Sequence, residues 1–468
     1  MAILFNHIQG KKGRKWNEFI KESGVDNILI LAVHAAKFTH SVMICNYFGD
    51  ILVKPFDVDA SRTGFEEIKK VVEHEKEKHQ MKEVVVGIET TGHYYEDFVR
   101  LSWKEGYHVR IINAATTAKE REALLNWSKT DRLDLMAIVQ AVIHGRGTSH
   151  ELPSGTVYDL QKLTRARREL VNAPTALENH IRVHVDHIFR EYQGKTVWKN
   201  GKQERLKRFY NLFGKASRYL MRHHLHPSDI LELGERGLRE LSKEKQLRLR
   251  DQTIHTLVEL AKDSISQSKE EVASEQLLLN LKLDQWELLD NQREELEKEI
   301  EALFLETDGA IILSVPGVGV ISGAELYAEM GDITKFDHAG QLIKMAGTNP
   351  IVKQSGDRKP AYYAISKQGR KSFRNAVYQI GRSLSVNNPD MEEKYNALKE
   401  RGKHAKQAYI ALGNRMIRLA FSMIKHQALY KTNQSNYTLV DQITRKLRPE
   451  NVERFYEKFV LNRNPQAS

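Results

Sequence analysis

Five short apolar runs between residues 26 and 147 constrain the fold of this chain more than any other feature. Residues 28–33 and 38–46 are rich in aliphatic and β-branched side chains, and residues 51–55 form a third, shorter run. The turn at residues 47–50 places Gly49 where a tight hairpin needs a positive φ. Runs of this length joined by short turns predict strands, so we expect a three-stranded antiparallel meander.

Helical and strand patterns alternate after this meander. Ser61 can cap a helix, which is followed by a strand at residues 84–88, a helix at 94–103 and a strand at 107–112. Strands that alternate with helices tend to pair in parallel. A meander followed by two α/β units is the layout of the ribonuclease H fold, which we predict for residues 26–150.

Acidic residues occupy the positions at which this fold carries its metal ligands. Glu89 directly follows the strand at residues 84–88, and Asp131 and Asp134 share one face of a predicted helix because they are three residues apart. Carboxylate oxygens are the usual ligands of hard cations. Two Mg²⁺ ions held in this way could activate a nucleophile and stabilise the leaving oxygen of a phosphodiester. The end of the first strand carries His34 instead of a fourth carboxylate.

A solvated helix is the alternative interpretation of the two aspartates, which would then pair with Lys129 and Arg132. Glu89 favours the metal site, because a carboxylate buried directly after an apolar strand is costly without a partner or a metal.

The composition indicates a polyanionic partner. The chain has 468 residues, enough for two or three domains, and its 72 Lys and Arg against 61 Asp and Glu give a net charge of +11. This excess favours nucleic acid as the partner. Residues 1–25 form a basic extension without the apolar core of a signal peptide, and no stretch is long enough to span a bilayer, so we expect a cytoplasmic protein without a membrane partner. Cys45 is the single cysteine, which excludes an internal disulfide, and we expect a buried strand thiol.

Residues 151–307 are expected to form a helical region with a basic insertion. Apolar residues at coiled-coil-like spacings predict a helical hairpin or a dimer contact, with packing inside one chain as the alternative: Trp286, Leu289, Leu296, Ile300 and Leu303. The insertion carries Lys199, Lys202 and Arg205, which we expect to contact nucleic acid. Its interleaved aromatic residues could stack on bases or pack in a core: Trp198, Phe209 and Tyr210. The histidines at 180, 184 and 187 could bind zinc, but packing and phosphate contacts are the favoured interpretation.

Residues 308–430 are expected to form a helical domain that binds nucleic acid. Residues 314–324 resemble the loop of a helix-hairpin-helix motif, in which Gly317 and Gly319 let backbone N–H groups approach a phosphate. A structural turn is the competing interpretation. Residues 431–468 form a polar C-terminal extension, for which we expect a peripheral helix and a loose end.

A serine beside a glycine follows in the same domain. Ser355 precedes Gly356, where the backbone can approach a phosphate, and four cationic side chains close by in the sequence could neutralise developing charge: Arg358, Lys367, Arg370 and Arg374. From the loop alone, a turn beside a basic surface is the alternative.

Together these segments resemble the transposases of elements related to insertion sequence 110, and the site-specific invertase Piv. The resemblance covers residues 27–150 and 308–430. It rests on residues 87–94 (GIETTGHY), 129–134 (KTDRLD), 354–356 (QSG) and 365–369 (ISKQG). It implies a DEDD domain similar to the Holliday-junction resolvase RuvC and a C-terminal transposase domain with a catalytic serine, for which Ser355 is the choice and Ser366 the alternative.

The resemblance further implies an enzyme that cuts and rejoins DNA for transposition or site-specific recombination. It implies a covalent link between the serine and DNA, a composite site formed with the DEDD domain, and a noncoding bridge RNA that pairs with donor and target DNA. A homodimer or homotetramer is expected.

His34 is the departure from this pattern, because the family carries Asp there. Imidazole is a poor ligand of Mg²⁺, so the substitution is expected to impair catalysis. It could be an inactivating change, a decayed natural copy, or a site retuned to Mn²⁺. Two other functions stay open: a structure-selective nuclease of the resolvase kind, which does not need Ser355, and a nucleic-acid-binding homologue that has lost the chemistry.

Overall fold

The computed structural model describes residues 10–461 except 91, 124–127, 129, 150–151, 153, 200–201, 207–208, 210, 354–360 and 432–438. The chain divides into two compact units, Met1–Pro153 and Ser154–Ser468. None of the described helices is both long and apolar enough to cross a membrane.

The first unit contains a twisted sheet and its helices. In chain order the elements are α1 (Gly10–Ser23), β1 (Ile28–Ala35), β2 (Thr39–Asn46), β3 (Ile51–Asp59), α2 (Arg62–His79), β4 (Glu83–Glu89), α3 (Tyr95–Lys104), β5 (His108–Ile112), α4 (Ala114–Ala123) and α5 (Asp131–Ile143). The five strands are arranged in the order β3-β2-β1-β4-β5. β1 pairs antiparallel with β2, and β2 with β3, whereas β4 is parallel to β1 and to β5.

This topology is the predicted meander followed by two α/β units, and it is consistent with a ribonuclease H-like domain. β3 continues through Pro55 to Asp59, beyond the expected end at residue 55. Proline is tolerated there because β3 is an edge strand, where a missing N–H breaks no interior ladder. Cys45 is buried on β2, as expected, and burial raises the pKa of its thiol to about 11.

The sheet is covered on both faces. Side chains of α2 and α3, including Phe65 and Phe98, pack on one face, whereas Leu135 and Ile138 of α5 pack with residues of the other. α5 lies directly on β4 at Gly87, where a Cβ atom would come within 2.6 Å of Val142 and 2.8 Å of Ile138. Glycine is required at this position because it lets the helix that carries the two aspartates approach the strand that ends at Glu89.

The second unit is mainly helical. Its elements are α6 (Thr156–Asn172), α7 (Pro174–Phe189), β6 (Lys195–Lys199), β7 (Lys202–Leu206), α8 (Lys215–His223), α9 (Pro227–Glu244), α10 (Asp251–Lys262), α11 (Ala273–Glu306), α12 (Val320–Met330), α13 (Ala339–Ala346), β8 (Pro350–Lys353), β9 (Ala361–Ile365), α14 (Lys371–Asn387), α15 (Pro389–Glu400), α16 (Ala405–His426), α17 (Leu439–Lys446) and α18 (Pro449–Phe459). The basic insertion forms the β6–β7 hairpin, which carries Lys199, Lys202 and Arg205.

The long helix α11 packs against α6 and α7 of the same chain. Trp286 stacks on Phe213 at a centroid distance of 5.4 Å, and Ile300 is fully buried. Part of the predicted apolar stripe therefore packs within one chain, and a dimer contact stays a prediction. Phe209 lies against the core beside Tyr192, which favours packing over base stacking. Tyr210 lies outside the described residues.

The predicted histidine cluster on α7 is not a metal site in the described structure. Nδ1 of His184 is 2.6 Å from a carboxylate oxygen of Glu275 on α11. Among the described residues, no three His, Cys, Asp or Glu side chains are arranged to hold a metal ion. The favoured interpretation of the three histidines is packing and phosphate contact; the contact with Glu275 is consistent with packing for His184, and phosphate contact stays a prediction.

The described part of the C-terminal extension, which contains α17 and α18, contributes to the second unit's core, and this corrects the expectation of a peripheral helix. Ile443 and Leu447 of the α17 region and Phe455 and Phe459 of α18 are buried against residues of α11 to α16. The two phenylalanines lie four residues apart, so they share one face of α18, while five of its other positions carry charged residues. The high density of charge conceals this short apolar stripe in the sequence.

Candidate active site

Glu89 is the last residue of β4 and is buried, with 7% of its surface exposed. It lies opposite Ile112 in the parallel pair of β4 and β5, and the chain beyond it is held by a 2.9 Å bond from the Thr90 N–H to the Ile112 carbonyl. The sequence prediction of a carboxylate at the end of a buried strand is therefore correct.

Asp131 and Asp134 lie in the first turn of α5. Thr130 caps this helix, because its hydroxyl oxygen accepts a hydrogen bond from the Leu133 N–H at 3.3 Å. Carboxylates are favoured in a first turn by the unpaired N–H groups and the helix dipole. The two aspartates differ in environment: 66% of the Asp131 side chain is exposed, but only 1% of the Asp134 side chain.

Each aspartate has a nitrogen-bearing neighbour. Nδ1 of His34, near the end of β1, is 3.8 Å from Oδ1 of Asp131, a contact that is an ion pair only when the imidazole is protonated. Oδ1 of Asp134 contacts Nη1 of Arg121 on α4. The structure thus brings His34 to Asp131 and Arg121 to Asp134, and a single site that also includes Glu89 stays a prediction. No sequence pattern indicates Arg121, because its contact joins two separate helices, α4 and α5.

The structure does not arrange Glu89, Asp131 and Asp134 as a formed metal site, since no three His, Cys, Asp or Glu side chains among the described residues are placed to hold a metal ion. Their carboxylate oxygens are of the type that a hard divalent cation prefers, and a shared cation stays a prediction. The guanidinium of Arg121 contacts one of these carboxylates, that of Asp134. A cation that used Asp134 would have to compete with Arg121.

The proposed nucleophile Ser355 and the neighbouring Arg358 lie outside the described residues. Ser366, the alternative, closes the β8–β9 hairpin: its hydroxyl donates to Oδ1 of Asn349 at 2.7 Å, and its N–H donates to the Asn349 carbonyl at 2.9 Å. These bonds join the outer ends of β8 and β9, and Ser366 as the alternative nucleophile stays a prediction.

The three other predicted phosphate-binding cations are described, and each has a different setting. Lys367 is exposed and has a positive φ of 54°. Arg370 is exposed, and its Nη1 lies 3.4 Å from the Glu329 carbonyl oxygen. Arg374 donates to the carbonyl oxygens of residues 346, 367 and 369, at 3.2–3.4 Å. Arg374 therefore also stabilises the loop that leads into α14.

The glycine loop before α12 is fixed by bonds to its carbonyl groups. Ser383 donates to the Gly317 carbonyl at 2.7 Å and Asn388 to the Pro316 carbonyl at 3.0 Å. Nζ of Lys446 donates to the carbonyls of residues 313 and 315, at 2.6 and 2.9 Å, and burial lowers the pKa of this amine to about 8.

The two glycines of this loop differ in what they can offer a ligand. Gly317 has a φ of +83°, which explains the need for glycine. The Gly319 N–H donates to the Ser322 hydroxyl at 3.1 Å within α12's first turn. This bond supports the structural-turn interpretation for Gly319, while a helix-hairpin-helix contact to phosphate stays a prediction.

Two family models match the chain in order. One, described as a transposase and representing the DEDD type of insertion sequence IS110, matches residues 32–190. The other, described as the transposase family of IS116, IS110 and IS902, matches residues 309–396. DEDD transposases usually use a divalent metal.

Individual relatives agree with these matches. The 44.8 kDa protein of insertion element IS116 from Streptomyces clavuligerus is 30% identical over 30% of this chain and 36% of its own length. The transposase for insertion sequence element IS1111A from Coxiella burnetii is 29% identical over 29% of this chain and 38% of its own. The pilin gene-inverting protein of Moraxella bovis is 25% identical over 25% of this chain and 36% of its own length.

The matched segments thus span about a third of the length of these relatives. The two family models nevertheless fall on the parts of the chain that carry the acidic residues and the serine segment. The chain belongs to the IS110/IS116 family of transposases.

Proposed function

We propose that this chain is a DNA transposase or site-specific recombinase that cuts and rejoins the ends of an insertion sequence. The observation that carries the proposal is the pair of buried carboxylates, Glu89 at the end of β4 and Asp134 in the first turn of α5, inside the segment that matches the DEDD model. Carboxylate oxygens are the ligands that a hard divalent cation prefers, and at Asp134 the cation would take the place of Arg121.

In this proposal Glu89, Asp131 and Asp134 hold Mg²⁺, with Mn²⁺ as the alternative. The cation would act as a Lewis acid on the phosphodiester oxygens. Ser355 would attack the phosphorus and remain bonded to one DNA end while the leaving 3′ or 5′ oxygen takes up a proton. Arg358, Lys367, Arg370 and Arg374 would stabilise the charge on the phosphate.

The partners in this proposal are the DNA of the element and its target, a noncoding bridge RNA that pairs with both, and further copies of the chain. The basic β6–β7 hairpin is the candidate contact for the RNA, because Lys199, Lys202 and Arg205 lie on adjacent strands. The Ser355 hydroxyl and the carboxylates would come together in a dimer or tetramer.

A recombination assay with element ends, target DNA and bridge RNA tests the proposal. Ser355→Ala should abolish the covalent protein–DNA adduct without reducing DNA binding, whereas Ser366→Ala should keep the adduct. Asp134→Asn and Glu89→Gln should abolish strand cleavage. Persistence of the adduct in Ser355→Ala would exclude Ser355 as the nucleophile, and cleavage without any adduct in the unaltered protein would favour a resolvase-like nuclease.

The second candidate function is nucleic-acid binding without chemistry. The contacts of His34 with Asp131 and of Arg121 with Asp134 favour this candidate. In both contacts a nitrogen atom lies beside the carboxylate oxygen that a cation would bind. Cleavage of DNA by the chain as given, with Mg²⁺ or Mn²⁺ and lost with chelator, would exclude this candidate.

A further inference from the structure

A large groove in the second unit carries far more positive than negative charge. Its cavity volume is about 1600 Å³, and eight Lys and Arg against three Glu line it. The walls come from α6, α12, α14, α16 and the end of the β8–β9 hairpin. Pockets for small ligands are typically of about 300–1,000 Å³, so the volume favours a segment of a polymer.

Two of the arginines in the groove are fixed by buried carboxylates. Arg165 on α6 bonds to both oxygens of Glu329 on α12, at 2.7 and 3.0 Å, and Nη2 of Arg168 bonds to Glu325 at 2.5 Å. Only 3% of the Glu329 side chain and 9% of the Glu325 side chain are exposed. These pairs hold the guanidinium groups in place before a ligand arrives, at little further entropic cost.

Two lysines of the groove differ from these arginines in having no carboxylate partner among the described residues. Lys403, just before α16, and Lys406, in its first turn, are exposed, and neither has a carboxylate within ion-pair distance among the residues that the structure describes. Charges without an internal partner are available to an anionic ligand. No sequence pattern indicated these two residues, because they lie 29 and 32 residues beyond Arg374, the last cation of the predicted cluster.

We propose that this groove binds the phosphodiester backbone of a nucleic-acid strand, with Lys403 and Lys406 contacting phosphates beside Lys367 and Arg370. The proposal deepens the proposed function, since it names the surface that holds the nucleic acid. Equilibrium binding without divalent cations does not depend on cleavage, so failure of the groove and failure of the transposase chemistry are distinguishable.

The test is the double variant Lys403→Glu/Lys406→Glu in the full-length chain. The matched control is Lys262→Glu/Lys298→Glu, two exposed lysines of the same unit on α10 and α11, outside the groove, with the same change in net charge. Binding is measured by fluorescence anisotropy with chelator, at several salt concentrations. The probes are duplex DNA, single-stranded DNA and single-stranded RNA of one sequence, and the probe with the largest loss identifies the source of the backbone.

The groove variant should weaken binding of at least one probe by about tenfold or more at 0.1 M salt. The control variant should weaken binding of the same probe by roughly twofold or less. It should also reduce the slope of log K against log salt by about 0.9 for each lost contact to duplex phosphate, or about 0.7 for a single strand. Equal losses in both variants, or an unchanged slope on all three probes, would overturn the proposal. Thermal melting followed by circular dichroism checks that each variant is folded. If Lys403→Glu/Lys406→Glu does not fold, Lys403→Ala/Lys406→Ala is measured in its place.

Discussion

His34 and Arg121 are the nitrogen-bearing side chains that contact the two aspartates at the start of α5. His34 faces the exposed Asp131, and Arg121 contacts the buried Asp134. An imidazole or a guanidinium beside a carboxylate lowers the need for a cation, whereas a carboxylate in place of His34 would increase it. The metal dependence of stability therefore reports on the site independently of catalysis.

His34→Asp is expected to create a dependence on divalent cations. The new carboxylate would repel Asp131 across a distance near the present 3.8 Å, and Mg²⁺ would relieve the repulsion. A cation at about a hundredfold excess over its Kd stabilises by about 2.7 kcal/mol, so Mg²⁺ should raise the melting temperature of this variant by several degrees. Recombination activity should rise in parallel. His34→Asn is the control, and an equal effect of Mg²⁺ on both variants would contradict the prediction.

Arg121→Ala is expected to destabilise the first unit and to make it respond to Mg²⁺. Asp134 is almost fully buried, and removing the partner of a buried charge costs roughly 3 kcal/mol. Mg²⁺ should restore part of this loss through Asp134, as thermal unfolding with and without Mg²⁺ can measure. Arg100→Ala removes an exposed pair with Glu96 and should change stability by less than about 1 kcal/mol. A similar small effect for Arg121→Ala would show that Asp134 does not depend on it.

At the scale of elements, α14 and α16 approach each other through two glycines. A Cβ atom on Gly381 would lie 1.9 Å from the Tyr409 carbonyl oxygen, and one on Gly413 would lie 2.2 Å from the Val377 carbonyl oxygen. Backbone atoms cannot move aside as a flexible side chain can. Both helices also line the basic groove, so their close packing fixes the spacing of its cations.

Gly381→Ala is therefore expected to destabilise the second unit. Separating the helices should cost about 1–3 kcal/mol, which outweighs the gain of up to about 1 kcal/mol from the helix propensity of alanine. Gly237→Ala in α9 is the matched control, because its nearest neighbour is the flexible side chain of Leu233 at 3.3 Å. Thermal unfolding should show a lower melting temperature for Gly381→Ala alone. An unchanged value would mean that the two helices can separate without loss.

At the scale of the whole molecule, local patterns in the sequence predicted the first unit better than the second. The strands of the sheet and the start of α2 follow from apolar runs and from the Ser61 cap, which act over a few residues. The contact of Arg121 with Asp134 and the burial of Phe455 could not be predicted, since each depends on how one helix packs against another. Sequence patterns fix which face of a helix is apolar, but they do not fix the helix that covers it.

The burial of α18 leads to a prediction for the second unit as a whole. Phe455 is fully buried in the core that also includes Ile300 of α11, which lies 155 residues earlier in the chain (455 − 300). Phe455→Ala should lower the free energy of unfolding of the second unit by about 3–5 kcal/mol, because it removes a large apolar side chain and leaves a cavity. Leu461→Ala is the control, since Leu461 is 64% exposed and should matter little. Chemical denaturation should show the loss only for Phe455→Ala, and two identical curves would mean that the C-terminal helix is peripheral after all.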